Sequence, residues 1–482
     1  MKQIPKGYKH TALGILPQDW EVVRLGEVMN FLKTYQNPRS DLNDYDDIHY
    51  VHYGEIHTKY QHFIDFNRAV LPKINQKNLK MPLSLLQNGD VIVVDASEDI
   101  IDIAKSVEIQ NLDSVIAESL RGSATNEAIH KRKIQAVAGL HTFLLRDRGQ
   151  YFANNYKGYI LYNQDVRRNI QRLATGISVF AISKTNLSNI LIPLPPIKEQ
   201  EKIAQILNTW DSYIDNLEKL IEAKQRYKKG LMQRLLTPPQ EDLTGGLPRS
   251  LTTFRNDGLA LPLGGKHNEA IQNLDSKTLD CHDLQSKSRN DIQALRFKEF
   301  SGTWQEVKLG EVFSEYTFFN LKSYPQYTIG KNGIKPFFDT RHTIEKHKTF
   351  ALFDLIIGIG IDEVNVNIGV NFGSCSPIYN TYKIITELLN PYFAYYYIKI
   401  GLRRIQNKIT KKSTRREFEF DKKEFLKHSI FIPTLQEQEK IARVLSLCDK
   451  EIQTLKKMLE YRKKQKRGLM QNLLNGKVRV KA

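Results

Sequence analysis

Cysteine is nearly missing from this chain. Cys281, Cys375 and Cys448 are the only three in 482 residues, and no Cys-x-x-Cys pair occurs. That scarcity argues against a disulfide framework or a zinc knuckle and fits a reducing, cytoplasmic setting. Long apolar runs are missing too. None reaches the roughly 18–20 residues of a membrane span, and the opening MKQIPKGYKH has no apolar leader core, so no membrane association is expected. Acidic residues are in deficit, with 53 Asp and Glu against 71 Lys and Arg and a formal net charge of +18. Such an excess favours polyanions, nucleic acid first and an anionic membrane surface second, although a merely basic soluble protein carries the same sign.

Catalytic signatures are also lacking. NPYF at Asn390 lacks the second proline of the adenine-methyltransferase motif, and a helix cap accounts for its Asn-Pro. GIGIDE at Gly358 lacks the third glycine of a dinucleotide fingerprint. In LGGKHN, Ala260 sits where a P-loop needs its first glycine, and His267 replaces its Ser or Thr. His49, His52, His57 and His62 follow no metal-ligand spacing. No catalytic, cofactor-binding or metal-binding residue is therefore assigned.

What the chain does contain is itself, twice. KEQEKIAQIL from Lys198 returns as QEQEKIARVL from Gln436, and GLMQRLL from Gly230 returns as GLMQNLL from Gly468. Glu199 and Glu437 stand 238 residues apart, as do Asp211 and Asp449, and Glu222 and Glu460. About half of roughly 40 aligned positions are identical, which marks an internal duplication. DWEVVRLGEV from Asp19 resembles TWQEVKLGEV from Thr303, but at an offset of 284. Each unit thus opens on W…LGEV and closes on EQEKIA, around middles that differ in length and sequence. Constant edges around variable middles suggest one scaffold carrying two different reading heads.

The closing segments have helical periodicity. Apolar residues fall at Ile203, Leu207, Trp210, Ile214, Leu217 and Ile221, and again at Ile441, Leu445, Cys448, Ile452, Leu455 and Leu459. Alternating steps of four and three make a coiled-coil seam, so each helix should span about 35–40 residues and pack on the other. Pro195, Pro196 and Pro433 should end the preceding strand or loop, and Gly230 and Gly468 should interrupt each helix near its end. The variable middles read as mixed α and β. NGDVIVVDASED and FDLIIGIGIDEVNVNIGVNFG read as strands and turns, and the stretch from Asn390 as a helix with Pro391 in its first turn. From about Thr237 to Leu295 the chain is polar and rich in Pro and Gly, and counted to Glu299 it is near neutral, with eight Lys/Arg against nine Asp/Glu. It reads as a linker, which leaves the positive charge to the repeats.

Eight basic residues and no acid lie between Lys399 and Arg416. Candidate DNA contacts there are Arg403, Arg404, Lys411, Lys412, Arg415 and Arg416. In the first unit they are Lys131, Arg132 and Lys133 of HKRK, and Arg167, Arg168 and Arg172 of VRRNIQR. Lys and Arg on a helix end and the following loop suit phosphates, and Arg also reads guanine edges. A solvated charged face is the alternative reading.

With IPLPPIKEQEKIAQIL, IPTLQEQEKIARVL, the KKGLMQRLL and KRGLMQNLL ends and the W…LGEV openers, the chain resembles the DNA-specificity subunits of type I restriction-modification systems. The likeness covers nearly everything except 237–295. It implies an α+β chain: a first target recognition domain (1–194), a conserved helix (195–236), a polar linker (237–295), a second target recognition domain (296–432), a second helix (433–476) and a basic tail (477–482). The two helices would form an antiparallel coiled coil, in an internal pseudo-two-fold repeat. It further implies a non-catalytic address reader. Each domain would bind half of a split, asymmetric double-stranded DNA site. Two methyltransferase subunits would bring S-adenosylmethionine, and two restriction subunits ATP- and Mg2+-dependent translocation and cleavage. The rival readings are a coiled-coil scaffold with non-specific nucleic-acid binding and a self-contained DNA adenine methyltransferase.

Overall fold

The computed structural model describes residues 4–113, 115–116, 132–239, 294–315, 324–330, 333–337, 346–359, 364–411 and 419–480. Most of the segment read as a linker lies outside them. The chain divides into two compact units, Met1–Glu218 with Met458–Ala482, and Lys219–Lys457. Each long helix therefore gives part of its length to each unit.

The conserved edges of each unit pair with each other. Strand Glu21–Arg24 runs antiparallel to Leu191–Leu194, and Gln305–Lys308 antiparallel to Ser429–Ile432. The LGEV motif is the single helical turn after the first strand of each pair, Leu25–Val28 or Leu309–Val312, with its Leu and Val buried. Its glutamate folds back as a cap. Glu27 accepts the Arg24 N–H at 3.0 Å and Glu311 the Lys308 N–H at 3.1 Å. Its glycine is a packing requirement, since a Cβ on Gly26 would stand 1.9 Å from Ser188 Oγ. The variable middle thus leaves and rejoins a closed two-stranded clasp.

The two middles share their wiring although their sequences do not match. In the first unit one sheet runs Met29–Leu32, Thr142–Asp147, Val91–Val94, Ser106–Gln110, Phe63–Asp65. In the second, Phe313–Glu315, Asn380–Ile384, Leu355–Ile359 and Val364–Ile368 follow the same order, all antiparallel. A further sheet in each unit holds a parallel pair, Gln135–Ala138 with Ile48–Val51 and Gln326–Gly330 with Gly373–Cys375. After these strands comes a helix, Gln164–Leu173 or Pro391–Ile409, and then the closing strand. Asn390 caps the latter helix as expected, accepting the N–H groups of Tyr392 and Phe393 at 3.1 Å.

The long helices are Ile197–Leu235, 39 residues, and Leu435–Leu474, 40 residues. Both run straight through Gly230 and Gly468 rather than breaking there. Leu231, Met232, Leu235 and Leu236 are buried on one side, and nothing lies within 4 Å of the Cβ position of either glycine. Packing of the apolar face outweighs the roughly 1 kcal/mol cost of a helical glycine. Gly230→Ala and Gly468→Ala should each therefore raise stability by about 0.5–1 kcal/mol in chemical denaturation. A loss at either site would mean that the helix needs the glycine.

The apolar seam has two roles. In the first unit Ile203, Ala204 and Leu207 share a core with Trp20, Tyr156 and Ile192, and with Met470, Leu473 and Leu474 from the end of the second helix. In the second unit Ile441, Ala442 and Leu445 share one with Trp304, Phe393 and Phe425, and with Leu231, Met232, Leu235 and Leu236. Both ends of each seam are thus domain core. Between them Leu217, Ile221 and Ile452 are buried, and Trp210, Ile214, Cys448, Leu455 and Leu459 half-buried. The helices run antiparallel in both units. Asp211 meets Lys466 and Glu218 meets Lys463 in the first, while Lys224 meets Glu451 and Lys228 meets Asp449 in the second.

The clustered histidines are packing groups. His62 is buried against Tyr159 and Tyr162, with ring centroids 4.7 and 4.5 Å away. Burial holds His62 well below the usual 6.5, and lowers His49 and His52 too. The unfolded chain therefore takes up protons below pH 6.5 that the folded chain refuses, and stability present above 6.5 drains as pH falls toward the depressed values. The first unit should lose about 1 kcal/mol per pH unit between pH 6 and 5. Hydrogen exchange over residues 63–110 reads this, and equal protection at pH 7 and 5 would contradict it.

Candidate nucleic-acid interface

The duplicated Glu-Gln pair is a joint between domain and helix. Gln200 Nε2 donates to the carbonyls of Pro195, 2.8 Å, and Tyr151, 3.0 Å, and its Oε1 accepts the Ala153 N–H at 3.0 Å. Gln438 does the same with Pro433 at 2.9 Å, Leu388 at 3.1 Å and the Asn390 N–H at 2.8 Å. Glu199, buried, accepts the Trp20 indole N–H at 2.9 Å and two bonds from Arg479 at 2.8 and 2.9 Å. Glu437, buried, accepts two from Arg296 at 2.9 and 2.8 Å. Every hydrogen-bonding atom of these side chains is thus engaged in holding a domain against its helix. Arg479, read in the sequence as part of a basic tail, is a structural cation that also binds Asp19 at 2.7 Å.

A second duplicated cluster lies further along each helix. Tyr159 Oη is 2.6 Å from Asp211 Oδ2, and Lys466 Nζ is bonded to Asp211 Oδ1 and stands 5.4 Å over the Tyr159 ring. Tyr396 Oη is 2.7 Å from Asp449 Oδ2, and Lys228 Nζ 2.6 Å from Asp449 Oδ1 and 5.0 Å over the Tyr396 ring. Burial pushes both lysines down and both tyrosines up. The duplication pairs the two aspartates in the sequence but gives them no partner there.

The predicted DNA contacts do not share one environment. Arg167 points inward. Its guanidinium donates to the Ile103 carbonyl at 2.6 Å, to that of Ala104 at 3.4 Å and to that of Ile101, and burial lowers its pKa. It holds the 101–104 loop through these carbonyls. Arg168 and Arg172, one turn apart on the same helix, are exposed, and Arg168 pairs with Asp165 at 2.9 Å. Arg132 and Lys133 form a short strand paired with Val115–Ile116, leading directly into the strand Gln135–Ala138. Arg403 and Arg404 lie on the helix Pro391–Ile409, and Lys411 on a strand paired with Glu419–Phe420. Lys131, Lys412, Arg415 and Arg416 lie outside the described residues.

Two cations that no cluster marked in the sequence are Lys77 and Lys80, both exposed. They sit on a loop tied to a neighbouring one by Asn37 Nδ2 to the Asn78 carbonyl, 3.1 Å, and by Asn75 Nδ2 to Asp46 Oδ1, 3.1 Å. On that neighbouring loop Tyr45 is 84% exposed, a surface on which a base or sugar could stack. Among the described residues no His, Cys, Asp and Glu group is placed to hold a metal ion, and no helix is long and apolar enough to cross a membrane.

A family model described as the type I restriction modification DNA specificity domain matches residues 17–225 and 301–461. The chain is 22% identical over 489 residues to the putative type I restriction enzyme MjaX specificity subunit of Methanocaldococcus jannaschii, covering 99% of this chain and 97% of that one. It is 24% identical over 336 residues to the type I restriction enzyme MjaVIII specificity subunit of the same organism, covering 67% and 70%. Among solved structures, the S subunit of a type I restriction-modification system from M. genitalium aligns over 94% of this chain and 96% of its own, at 14% identity and a TM-score of 0.47.

Proposed function

The chain belongs to the type I restriction-modification DNA specificity family, and from that premise we propose that it reads a bipartite, asymmetric duplex site, one half with each unit. It is the non-catalytic, DNA-recognising component of such a system. The observation that carries the bipartite reading is the clasp. The same paired edges and helix joint hold two middles that share a four-strand order and differ in sequence, so a unit can change what it reads without changing how it is held. Duplicated joints also present two equivalent surfaces, which suits two methyltransferase subunits carrying S-adenosylmethionine. Two restriction subunits would add ATP- and Mg2+-dependent translocation and cleavage. A self-contained methyltransferase is disfavoured because Asn390, the one residue that evokes it, uses its side-chain oxygen to cap a helix.

The purified chain should transfer no methyl group from labelled S-adenosylmethionine, and should bind its site specifically once a methyltransferase subunit is added. Methyl transfer by the chain alone would defeat the proposal. Arg168 and Arg172 are the first-unit candidates for backbone contact, with Arg132 and Lys133. In the second unit they are Arg403, Arg404 and Lys411. Lys131 of the first unit and Lys412, Arg415 and Arg416 of the second are proposed on sequence alone. Alanine at Arg168 or Arg172 should weaken binding to all sequences and lower the salt slope by about one per contact. Arg167→Ala should leave the slope unchanged and lower stability instead. Unchanged slopes at both exposed arginines would remove this helix from the interface.

A further inference from the structure

The two Lys–Asp–Tyr clusters occupy matching places. Lys228 and Lys466 are 238 residues apart, as are Asp211 and Asp449. Each cluster joins three elements: the carboxylate from the first half of one long helix, the ammonium from the last third of the other, and the phenol from the variable middle, Tyr159 in the helical turn Lys157–Ile160 and Tyr396 in the helix Pro391–Ile409. The lysine side chains are 5% and 12% exposed, so neither ammonium can readily exchange its partner for water. Each phenol has two acceptors within reach, the aspartate and a residue three positions before it, with Tyr159 Oη 2.7 Å from Asn208 Oδ1 and Tyr396 Oη 3.4 Å from Ser446 Oγ.

The apolar quartets at the ends of the long helices do not define one register by themselves. Leu231/Met232 and Leu235/Leu236 repeat each other at a spacing of four, as do Leu469/Met470 and Leu473/Leu474. In these quartets a slide of one turn replaces apolar knobs by apolar knobs, whereas in the seam between them it replaces every second apolar residue by a polar one, Asp211 and Glu218 among them. The clusters do not tolerate that slide. One turn in one direction sets Lys466 against Leu207 and Lys228 against Leu445, both buried. One turn in the other offers Lys466 a carboxylate, Asp215, but gives Lys228 only Gln453 and sets Asp449 against Met232. The native register alone satisfies both clusters at once. Because each cluster also includes a tyrosine of the variable middle, it ties the domain's angle to the same register.

We propose that Lys466–Asp211–Tyr159 and Lys228–Asp449–Tyr396 are paired register locks that fix how the long helices align within each unit. On the reading that the chain binds a bipartite site, they thereby fix the number of unread base pairs between its halves. These are positioning residues and touch no DNA.

The test replaces the ionic partners by apolar ones of similar size, Lys228→Met, Asp449→Leu, Lys466→Met and Asp211→Leu together. The lysine side chains are largely buried and the aspartates 28% and 37% exposed, and replacing such pairs by apolar residues commonly leaves stability intact, so a fold is expected. Register is read by cross-linking cysteine pairs with a short thiol-reactive linker. Glu218→Cys with Lys463→Cys reports the native alignment, where the ends of the two long side chains meet at 2.7 Å, and Glu218→Cys with Leu459→Cys or Arg467→Cys reports slides of one turn. The wild-type background should trap the native pair at least tenfold over the shifted pairs, and the apolar variant should lower that ratio at least threefold. In the methyltransferase complex, preference for the native spacer over spacers one base pair longer or shorter should fall at least tenfold.

A second variant exchanges the charges in both clusters, Lys228→Asp with Asp449→Lys and Lys466→Asp with Asp211→Lys, and should restore native-only trapping. Native-only trapping in a folded apolar variant overturns the inference. Should the apolar variant fail to fold, shifted trapping in the exchanged variant overturns it, and native-only trapping there upholds it. A shifted register in a chain that reads no bipartite site keeps the lock and removes the DNA proposal instead.

Discussion

Arg296→Ala should cost the second unit about 3–5 kcal/mol, the range for stranding a buried charge. Glu437 is 1% exposed, and Arg296, itself 20% exposed at the side chain, donates to both of its oxygens. Remove the guanidinium and the buried carboxylate loses its two-pronged cation in the joint between domain and helix. Chemical denaturation of the full chain measures the loss, and adding Glu437→Gln to the alanine variant should recover more than half of it. The first unit supplies the internal comparison. Arg479 makes the same two-pronged contact with Glu199, but is 39% exposed, and Trp20 still donates to Glu199 when it is gone. Solvent screening and the remaining donor reduce the expected cost of Arg479→Ala to about 1–2 kcal/mol. Costs below 1 kcal/mol at Arg296, or a larger cost at Arg479, would show that the joint is held by its apolar contacts alone.

Four extra residues after Ile221 should cut affinity for the native site at least tenfold, or shift the preferred spacer. Four residues add about 6 Å along a helix and rotate its downstream part by about 40°. Lys228 would then leave Asp449, and Leu231, Met232, Leu235 and Leu236 would leave the core they share with Ile441 and Leu445. Half-sites are spaced on a scale of one base pair, about 3.4 Å, so even a repacked helix should move the reading heads by more than one step. Binding and methylation assays on a spacer series measure it. Unchanged preference in an active variant would show that this helix does not measure distance.

The long helices were legible in the sequence because period and duplication marked the same residues, and because prolines stood where the closing strands end. Their glycines misled. Gly230 and Gly468 look like breaks by propensity, but tertiary burial of their neighbours decides the backbone. The seam was legible as apolar but not as divided between helix pairing and domain core, since periodicity says which face is buried and not what buries it. Most of the site was hidden for a simpler reason. Glu437 finds Arg296 across 141 residues, and Glu199 finds Arg479 across 280. No local pattern links such pairs. Arg167 and Arg168 are neighbours of one type in one motif, and only the fold shows that the first holds a loop while the second faces solvent. The shared wiring of the middles was invisible, because a sheet order can be kept by many sequences with the same alternation.

If each unit reads its own half of the site, the two halves must be separable. The clasp supplies the boundaries for the decisive exchange, with residues 29–190 replaced by the corresponding middle of another specificity subunit and both paired edges left intact. Methylated bases should then be mapped across a genome in cells carrying the chain and its methyltransferase. One half of the recognised sequence should change while the other half and the spacer stay as they were. A change in both halves, or in neither, would contradict independent reading by the two units.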